Sequence, residues 1–332
     1  MKNILIVFTG GTFSSQTTNH VMDVKQRASN NFLKLIEEKY AGKVAFRVIC
    51  PIFMLSENMY PESWSKITDA INDNLDETLD GIIVIHGSDT VCYTASFLSY
   101  YYSFLNIPLV VTAANAPIFE THSNGLNNFD TCVSLMMTKR LSNTYFIYQQ
   151  NQNKGRINIY QPNELRSADI YTDDFSTIHA QPFGYVDENK IVITRDEKTA
   201  IFKTKRDPFV YNNKVLGIQP YTGLNYDYLL LSDDIKAVVH GVYHSNTFNC
   251  NAEHPCYSMI AFIQRCKKHN IDFYLCDFTT DRLDKAVYGS TDGLIKKGAK
   301  IIPLPFECAY AKAIYAYNSN ESDKSDFLCN PS

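Results

Sequence analysis

Two short segments of this sequence combine glycine with hydroxyl side chains directly after apolar runs. The first, residues 9–15, reads Thr-Gly-Gly-Thr-Phe-Ser-Ser and follows the run Ile4–Phe8. The second, residues 86–90, reads His-Gly-Ser-Asp-Thr and follows the run Gly81–Ile85. Paired glycines allow a tight turn with exposed backbone N–H groups. Such a turn suits a phosphate cradle, or an oxyanion hole beside a hydroxyl nucleophile.

The first segment alone leaves several interpretations open, including a plain tight turn. A phosphate site is disfavoured, because the segment lacks the Lys-Ser/Thr pair of a P-loop and the third glycine of a dinucleotide motif. The second segment favours nucleophilic catalysis. Serine and threonine are weak nucleophiles that need a base and oriented donors, and Ser88 stands beside the carboxylate of Asp89. Two such loops can divide these duties if they face one crevice.

The elements expected to position these segments are strands of a wound α/β sheet. Short β-branched runs alternate with longer helical stretches, which favours parallel strands linked by helices. The sequence predicts buried strands at Ile4–Phe8, Gly81–Ile85 and Ile107–Thr112, and each is followed by small or polar residues. Ligands of open parallel sheets bind outside the carboxyl ends of the strands. We therefore expect the three following loops to face one crevice.

The length of 332 residues and the hydrophobic content of 45% suggest two domains. Residues 1–190 are predicted to form an N-terminal domain that carries the first segment, residues 191–215 a linker, and residues 216–332 a second α/β domain. A helix is predicted over residues 64–79. The polar tail after Asn318 is expected to be frayed.

Composition excludes several classes of partner. The formal net charge is −4 with 20% charged residues, and no basic run is long enough to follow a phosphate backbone, so no nucleic-acid partner is expected. No apolar run reaches the ~18 residues of a membrane-spanning helix, so no membrane association is expected either. The nine cysteines form no Cys-x-x-Cys pair, which suggests a reducing cytoplasmic location.

The two glycine segments resemble the first two signatures of bacterial L-asparaginases. Residues 9–12 are similar to the first signature, and residues 86–90 with Tyr-Thr-Ala-Ser at 93–96 are similar to the second. Further similar segments keep the family's order along nearly the whole chain. They are Ser56-Glu57-Asn58-Met59, Thr112-Ala113-Ala114-Asn115-Ala116-Pro117, Ser123-Asn124-Gly125 with Asn128, and Tyr243-His244-Ser245-Asn246-Thr247. The chain thus resembles a divergent branch of the L-asparaginase/glutaminase family.

This resemblance implies both a fold and an activity. The fold would be two-domain α/β, with a larger N-terminal wound parallel or mixed sheet and a smaller flavodoxin-like C-terminal domain. The activity would be that of an amidohydrolase, which converts the side-chain amide of L-asparagine or a related small molecule to a carboxylate and ammonia. The family works without metal or organic cofactor, as a homodimer or homotetramer whose sites are completed by a neighbouring subunit.

The resemblance also assigns roles to individual residues. Thr12 would be the nucleophile that forms an acyl-enzyme, Ser88 would take the place of the family's second threonine, and Asp89 would hold the substrate's α-amino group. Arg166 is the cation nearest to the position of the family's lysine and completes the predicted catalytic set. The predicted substrate-binding residues are Gly11, Ser56, Glu57, Gly87 and Asn115.

Four departures from the family pattern leave the substrate open. Ser88 replaces threonine, and Arg166 stays protonated, so it cannot serve as a base as a lysine could. No tyrosine occurs in residues 13–39, and Ala113 and Asn115 replace a glycine and a glutamine. One interpretation is an enzyme with another substrate, such as a specialised biosynthetic or peptide side-chain deamidase. The other is a catalytically altered protein that binds a small amino acid as a sensor.

Two further alternatives compete with these. Related amidotransferase subunits that feed ammonia to tRNA-linked substrates share the motifs but carry an extra N-terminal domain. Because the first motif here begins at Thr9, a hydrolase is expected rather than such a subunit. The other alternative is a zinc site, because one segment of the chain is rich in histidine and cysteine. His244 of this run belongs to the family-like stretch, so no metal is expected. This run contains His240, His244, Cys250, His254 and Cys256.

Overall fold

The computed structural model shows two compact units, Met1–Phe209 and Val210–Ser332. The division falls inside the segment 191–215 that the sequence predicts as a linker. The described residues are 1–11, 15–18, 21–24, 26–138, 141–151, 155–179, 181–196, 206–278, 293–294, 299–320 and 324–330.

The first unit alternates strands and helices along the chain. Its strands are β1 (Lys2–Phe8), β2 (Ser15–Thr18), β3 (Val21–Val24), β4 (Val44–Ile49), β5 (Gly81–Ile85), β6 (Leu109–Thr112), β7 (Thr144–Gln149), β8 (Ile157–Tyr160), β9 (Leu165–Arg166), β10 (Ser176–Thr177), β11 (Gly184–Asp187) and β12 (Lys190–Ile193). Its helices are α1 (Gln26–Lys39), α2 (Pro61–Asn72), α3 (Val91–Tyr101) and α4 (Gly125–Thr138).

Eight of these strands form one mixed sheet in the order β12-β11-β8-β7-β6-β5-β1-β4. The pairs from β4 to β7 are parallel, and the pairs from β7 to β12 are antiparallel. Phe8 pairs with Ile85, and Ile85 pairs with Thr112, so these strands end level with one another. β1 lies between β4 and β5, where the winding direction of the parallel part reverses, and such switch points are the usual ligand sites of open sheets.

Apolar packing on both faces holds this sheet in place. The parallel strands are nearly continuous runs of buried aliphatic residues, as expected for strands covered on both faces. On one face α1 and α4 pack through Phe32 and Phe129, whose rings meet edge to face at 4.9 Å. On the other, α3 contacts β6 and β7, and Trp64 of α2 stacks on Phe97 of α3 at 4.6 Å.

Two local predictions differ from the structure. The helix predicted over residues 64–79 is α2, which begins at Pro61 and ends at Asn72. Proline suits the first turn because its missing N–H has no helical partner there. After the helix, Asp76 accepts a hydrogen bond from the Thr78 backbone, a local turn that competes with helix continuation. Residues 190–193 belong to the first sheet, because β12 pairs with β11 in a hairpin.

The second unit is a smaller parallel sheet with its own core. Its strands follow in chain order, β13 (Val215–Ile218), β14 (Ala237–His240), β15 (Asp272–Leu275) and β16 (Lys300–Ile301), and all pairs are parallel. Its helices are α5 (Met259–Lys268), α6 (Phe306–Asn318) and α7 (Lys324–Cys329). The predicted α/β fold class, with a large mixed sheet and a separate small parallel sheet, is therefore confirmed.

The tail after Asn318 contains helix α7, so the expectation of a frayed tail is wrong. Leu328 is fully buried, and the Phe327 ring contacts the Tyr315 ring of α6. Lys312 of α6 also donates to the backbone carbonyl of Asn330 at 2.6 Å. The polar composition of the tail concealed these few anchoring contacts. No helix in the described part of the chain is long and apolar enough to cross a membrane.

A buried ion pair joins two loops of the first unit. Glu164 is almost fully buried and pairs with the Arg195 guanidinium, and His179 Nε2 lies 3.7 Å from the same carboxylate. Arg195 follows β12, and Glu164 precedes β9, so the pair connects the sheet edge to the short β9–β10 sheet. A buried carboxylate that loses its cation is left poorly compensated.

Replacement of Arg195 by methionine tests how strongly this pair holds the first unit. We expect the free energy of unfolding to fall by about 3 kcal/mol, since removal of one partner strands a buried charge. Lys39→Met is the matched control, because its pair with Asp130 is more exposed and should contribute less than about 1 kcal/mol. Chemical denaturation measures both variants, and equal small effects would contradict the prediction.

Candidate active site

The loop after β1 is tied to the neighbouring strands by backbone contacts. The Thr9 hydroxyl and backbone N–H each donate to Ile85 O at 3.0 Å. Gly11 N donates to Met54 O at 2.9 Å, and Met54 N donates to Thr9 O at 3.1 Å. A Cβ on Gly10 would lie 2.2 Å from Met54 O, and Gly10 has a φ of +105°. Only glycine is therefore compatible with this approach of the two backbones.

The loops after β1, β4 and β5 touch one another at glycines, where any larger residue would collide with the neighbouring loop. A Cβ on Gly11 would lie 2.5 Å from Gly87 Cα, and a Cβ on Gly87 would lie 2.5 Å from Ser56 Oγ. The structure thus brings together three predicted substrate-binding residues from three separate segments. We call Gly11, Ser56, Gly87, Ser88 and Asp89 the strand-end cluster.

Hydrogen bonds reinforce the contact between the Ser56 turn and the start of α3. Ser56 lies in a single 3-10 turn, Ser56–Asn58, and its hydroxyl donates to Asp89 Oδ2 at 3.4 Å. The Thr90 hydroxyl donates to Ser56 O at 2.8 Å. Glu57 lies on the same turn with its side chain exposed. Ser56 and Asp89 therefore lie together in one polar site, and their role in substrate recognition stays a prediction.

The cluster also lies at the amino end of α3. This helix begins at Val91, directly after Thr90, and has no side-chain cap. The first N–H groups of a helix lack internal partners and carry a partial positive charge. A carboxylate or a developing oxyanion is stabilised in such a place. Ser88 is half-buried and Asp89 is exposed, so both are accessible from outside the sheet.

The third predicted loop holds Asn115 through a reciprocal pair of hydrogen bonds. Asn115 N donates to Asn124 Oδ1 at 3.0 Å, and Asn124 N donates to Asn115 Oδ1 at 2.9 Å. Asn124 in turn donates to Gln149 O at 2.8 Å. Within the described residues, no hydrogen bond joins Asn115 to the strand-end cluster. Its side-chain nitrogen lies 3.5 Å from both His122 O and Asn151 Oδ1, and its substrate-binding role stays a prediction.

Two aspartates connect this third loop to the cluster electrostatically. Asn151 lies 3.5 Å from the Asn115 amide and donates to Asp173 Oδ2 at 2.7 Å. Burial raises the pKa of Asp173, the carboxylates of Asp174 and Asp89 raise it further, and the Asn151 hydrogen bond opposes the shift. Asp89 is therefore close enough to Asp173 for the two charges to interact. Sequence reasoning missed Asp173, because no motif marks it.

The structure does not place two members of the predicted catalytic set, Thr12 and Arg166, in the strand-end cluster. Thr12 lies outside the described residues, although its neighbour Gly11 belongs to the cluster. Arg166 is half-buried on β9, where it pairs with Ser176 of β10 in a small sheet separate from the main sheet. β9 contacts α3, the helix that follows Asp89. The roles of both residues stay predictions.

His86 is a second residue of this site that sequence reasoning treated only as part of a motif. It is fully buried, and its Nδ1 lies 2.8 Å from Gly87 O. Burial lowers the pKa of His86 to about 4, and the contact with the Gly87 carbonyl opposes the shift. The sequence signal that could have indicated a buried histidine was its position between a predicted buried strand and a glycine. At neutral pH the imidazole is uncharged.

The His/Cys run of the second unit is arranged around packing contacts. His240 is buried, and its Nε2 lies 3.0 Å from the Tyr226 hydroxyl. Among the residues that the structure describes, no group of three His, Cys, Asp or Glu side chains is placed to hold a metal ion.

Solved structures with the same arrangement define the class of this protein. The L-asparaginase I of Vibrio cholerae superposes with a TM-score of 0.77 over 98% of this chain and 95% of that chain, at 20% identity. The thermostable L-asparaginase of Thermococcus kodakarensis gives a TM-score of 0.75 over 98% and 95%, at 19% identity. The protein thus has the two-domain α/β fold of the L-asparaginases.

The sequence comparisons identify the family. A family model described as "Asparaginase, N-terminal" matches residues 3–199, and the chain belongs to the asparaginase family. It is 29% identical over 229 residues to a glutamyl-tRNA(Gln) amidotransferase subunit of Methanosarcina barkeri, and the match covers 68% of this chain and 51% of that protein. For the same amidotransferase subunit of Saccharolobus solfataricus, the identity is 28%, over 72% of this chain and 55% of that protein. The chain spans about half the length of these relatives.

Replacement of Gly87 by alanine tests the close packing of the cluster. The new Cβ would meet Ser56 Oγ and Cβ at 2.5 and 2.6 Å, so we expect a loss of about 1–3 kcal/mol in the free energy of unfolding. Ser56→Gly in the same background removes the obstructing atoms and should restore much of the stability. A double-mutant cycle by chemical denaturation measures this coupling, and strictly additive effects would show that the two residues do not touch.

The neutral state of His86 predicts a pH dependence of stability. Its pKa is about 4 in the folded protein and ~6.5 in the unfolded chain, so the unfolded chain binds more protons between these values. This contribution, about 3 kcal/mol, is fully present above pH ~6.5 and is lost as the pH falls towards ~4. Denaturation at several pH values should give a shallower slope for His86→Asn, by up to about 1.4 kcal/mol per pH unit. Equal slopes would contradict the burial of a neutral imidazole.

Proposed function

We propose that this chain is an amidohydrolase that cleaves the side-chain amide of L-asparagine or of a related small amide, with Thr12 as the nucleophile. The observation that carries this proposal is the contact between Gly11 and Gly87. These glycines immediately precede Thr12 and Ser88 in the chain. Each of the two predicted hydroxyl residues is thus next in the chain to one of two glycines that touch. The contact lies at the switch point of the parallel part of the sheet, where ligands bind.

In the proposed reaction, the Thr12 hydroxyl oxygen bonds to the amide carbon, and the hydroxyl proton is transferred to the amide nitrogen. The tetrahedral intermediate then breaks its C–N bond, ammonia departs, and an ester joins the substrate to Thr12. Attack by water on this acyl-enzyme releases the carboxylate and restores the hydroxyl. The partial positive charge at the amino end of α3 suits the negative charge that develops on the carbonyl oxygen. Family membership and the L-asparaginase fold support this course.

The remaining residues of the cluster are proposed to hold the substrate's amino-acid end. Asp89 carries a carboxylate that suits an α-ammonium group, and Ser56 and Glu57 lie on the turn beside it. Arg166 is proposed to act as a fixed positive charge, since a guanidinium does not release a proton in the neutral range. The proposal requires no metal or organic cofactor, and includes a cytoplasmic location and a homodimeric or homotetrameric assembly.

A second candidate function follows from the sequence relatives, which are named as subunits of a glutamyl-tRNA(Gln) amidotransferase. In such a role the same chemistry would deliver ammonia to a partner protein instead of to water. Free ammonia release by the isolated chain favours the hydrolase. A specialised deamidase, or a sensor that binds an amino acid without turnover, are the other outcomes that the altered Ser88, Arg166 and Asn115 leave open.

The test is ammonia release from L-asparagine, D-asparagine, L-glutamine and N-terminal asparaginyl peptides. Thr12→Ala should lower kcat by at least about 10³-fold, as expected when a nucleophile is removed. Thr138→Ala is the matched control, because Thr138 is an exposed residue at the end of α4, and it should leave kcat unchanged.

Undiminished activity of Thr12→Ala would refute the nucleophile assignment. Silence of the wild-type protein on the whole panel, combined with a raised melting temperature in L-aspartate, would instead favour the amino-acid sensor.

A further inference from the structure

His86 makes one directed contact from a fully buried position. Its Nδ1 lies 2.8 Å from Gly87 O. A carbonyl oxygen only accepts hydrogen bonds, so Nδ1 carries the proton and donates it. The other ring nitrogen, Nε2, is buried and has no hydrogen-bond partner within the described part of the chain. The contact to Gly87 is therefore the one polar interaction that explains a histidine here.

That hydrogen bond sets the direction of the next backbone N–H. The Gly87–Ser88 peptide is planar and trans, so its N–H points opposite to its C=O. Because the carbonyl points to the buried imidazole, the Ser88 N–H points away from it. Among the described residues, nothing accepts a hydrogen bond from this N–H. It is a donor available to a ligand.

Packing explains why the loop needs such a tether. Gly87 has to be glycine, since a Cβ would collide with Ser56. A glycine also rotates more freely about its backbone bonds than any other residue. The close contact with Ser56 requires glycine at position 87. Without a Cβ, the orientation of the Gly87–Ser88 peptide is less restricted by steric contacts. A hydrogen bond to the Gly87 carbonyl supplies that restriction.

We propose that His86 is a positioning residue, whose Nδ1–H holds the Gly87 carbonyl so that the Ser88 N–H can bind the oxyanion formed during amide cleavage. This inference rests on the proposed amidohydrolase function. The imidazole is neutral in the folded protein at physiological pH, because burial keeps its pKa near about 4. It therefore orients the peptide at all such pH values without adding a positive charge beneath the loop.

The second unit contains a matched copy of the same contact. His240 is also buried, ends strand β14, and places Nδ1 2.6 Å from Gly241 O. Burial lowers its pKa to about 4 as well. The residues after Gly241 carry no part of the strand-end cluster. His240 Nε2 also lies 3.0 Å from the Tyr226 hydroxyl, so replacement of His240 removes at least as many buried contacts as replacement of His86, without the proposed effect on the reaction.

Four variants test the inference with L-asparagine as the probe. His86→Leu removes the donor, and we expect kcat to fall by about 10²-fold, since loss of one oxyanion donor has an effect of about 10²–10³. KM should change less than about threefold, because the donor acts in the transition state. His86→Asn should keep kcat within about tenfold of wild type, as the Asn Nδ2 is bonded to Cγ like the histidine Nδ1. His240→Leu should leave kcat and KM unchanged.

His86→Gln is the substitute if His86→Leu does not fold. Glutamine carries its amide one bond further out, near the Nε2 position, and should not rescue kcat. Equal kcat values for the asparagine variant and the leucine or glutamine variant would overturn the inference, and so would an equal loss in His240→Leu.

Crystal structures separate this inference from the proposed function. In His86→Leu or His86→Gln we expect the Gly87–Ser88 peptide to rotate, and in His86→Asn to keep the wild-type orientation. An unchanged peptide in the leucine or glutamine variant would refute the positioning role. If wild-type protein releases no ammonia from any amide of the panel, the proposed function fails, and the peptide orientation alone then decides the role of His86.

Discussion

Close approach of neighbouring loops at glycines, which carry no Cβ, is the constraint on which the candidate site depends. Gly10 packs against Met54, Gly11 against Gly87, and Gly87 against Ser56. Each contact joins loops that follow different strands, and together they close the carboxyl edge of the sheet where β1 lies between β4 and β5. A methyl group at any of these glycines would separate the loops, and the hydroxyl and carboxylate groups would no longer share one site.

Several buried polar groups of the first unit make directed contacts. His86 stays neutral because a charged imidazole would be poorly solvated there, and its Nδ1–H pairs with a carbonyl. Glu164 stays buried beside Arg195 and His179. Thr9 places both its donors on Ile85 O. These contacts hold the loops where the absence of side chains would otherwise leave the backbone free to move.

The departures from the family pattern leave Gly10, Gly11 and Gly87 in place. Ser88 keeps a hydroxyl at the predicted position, while the Asn115 amide is bonded to Asn124 and turned to its own loop. Asp173 adds a carboxylate that interacts with Asp89.

Local patterns in the sequence predicted the parallel strands and the glycine turns after them, because strand periodicity and glycine requirements are local properties. The resemblance to the L-asparaginase signatures predicted Ser56, Gly87 and Asp89 as residues of one site. Other features depend on residues distant in sequence. The anchoring of α7, the pairing of β12 with β11, the placement of Arg166 on β9 and the interaction of Asp173 with Asp89 were decided only by the tertiary structure. Their cause is packing and charge between segments, which leaves no periodic signal in the chain.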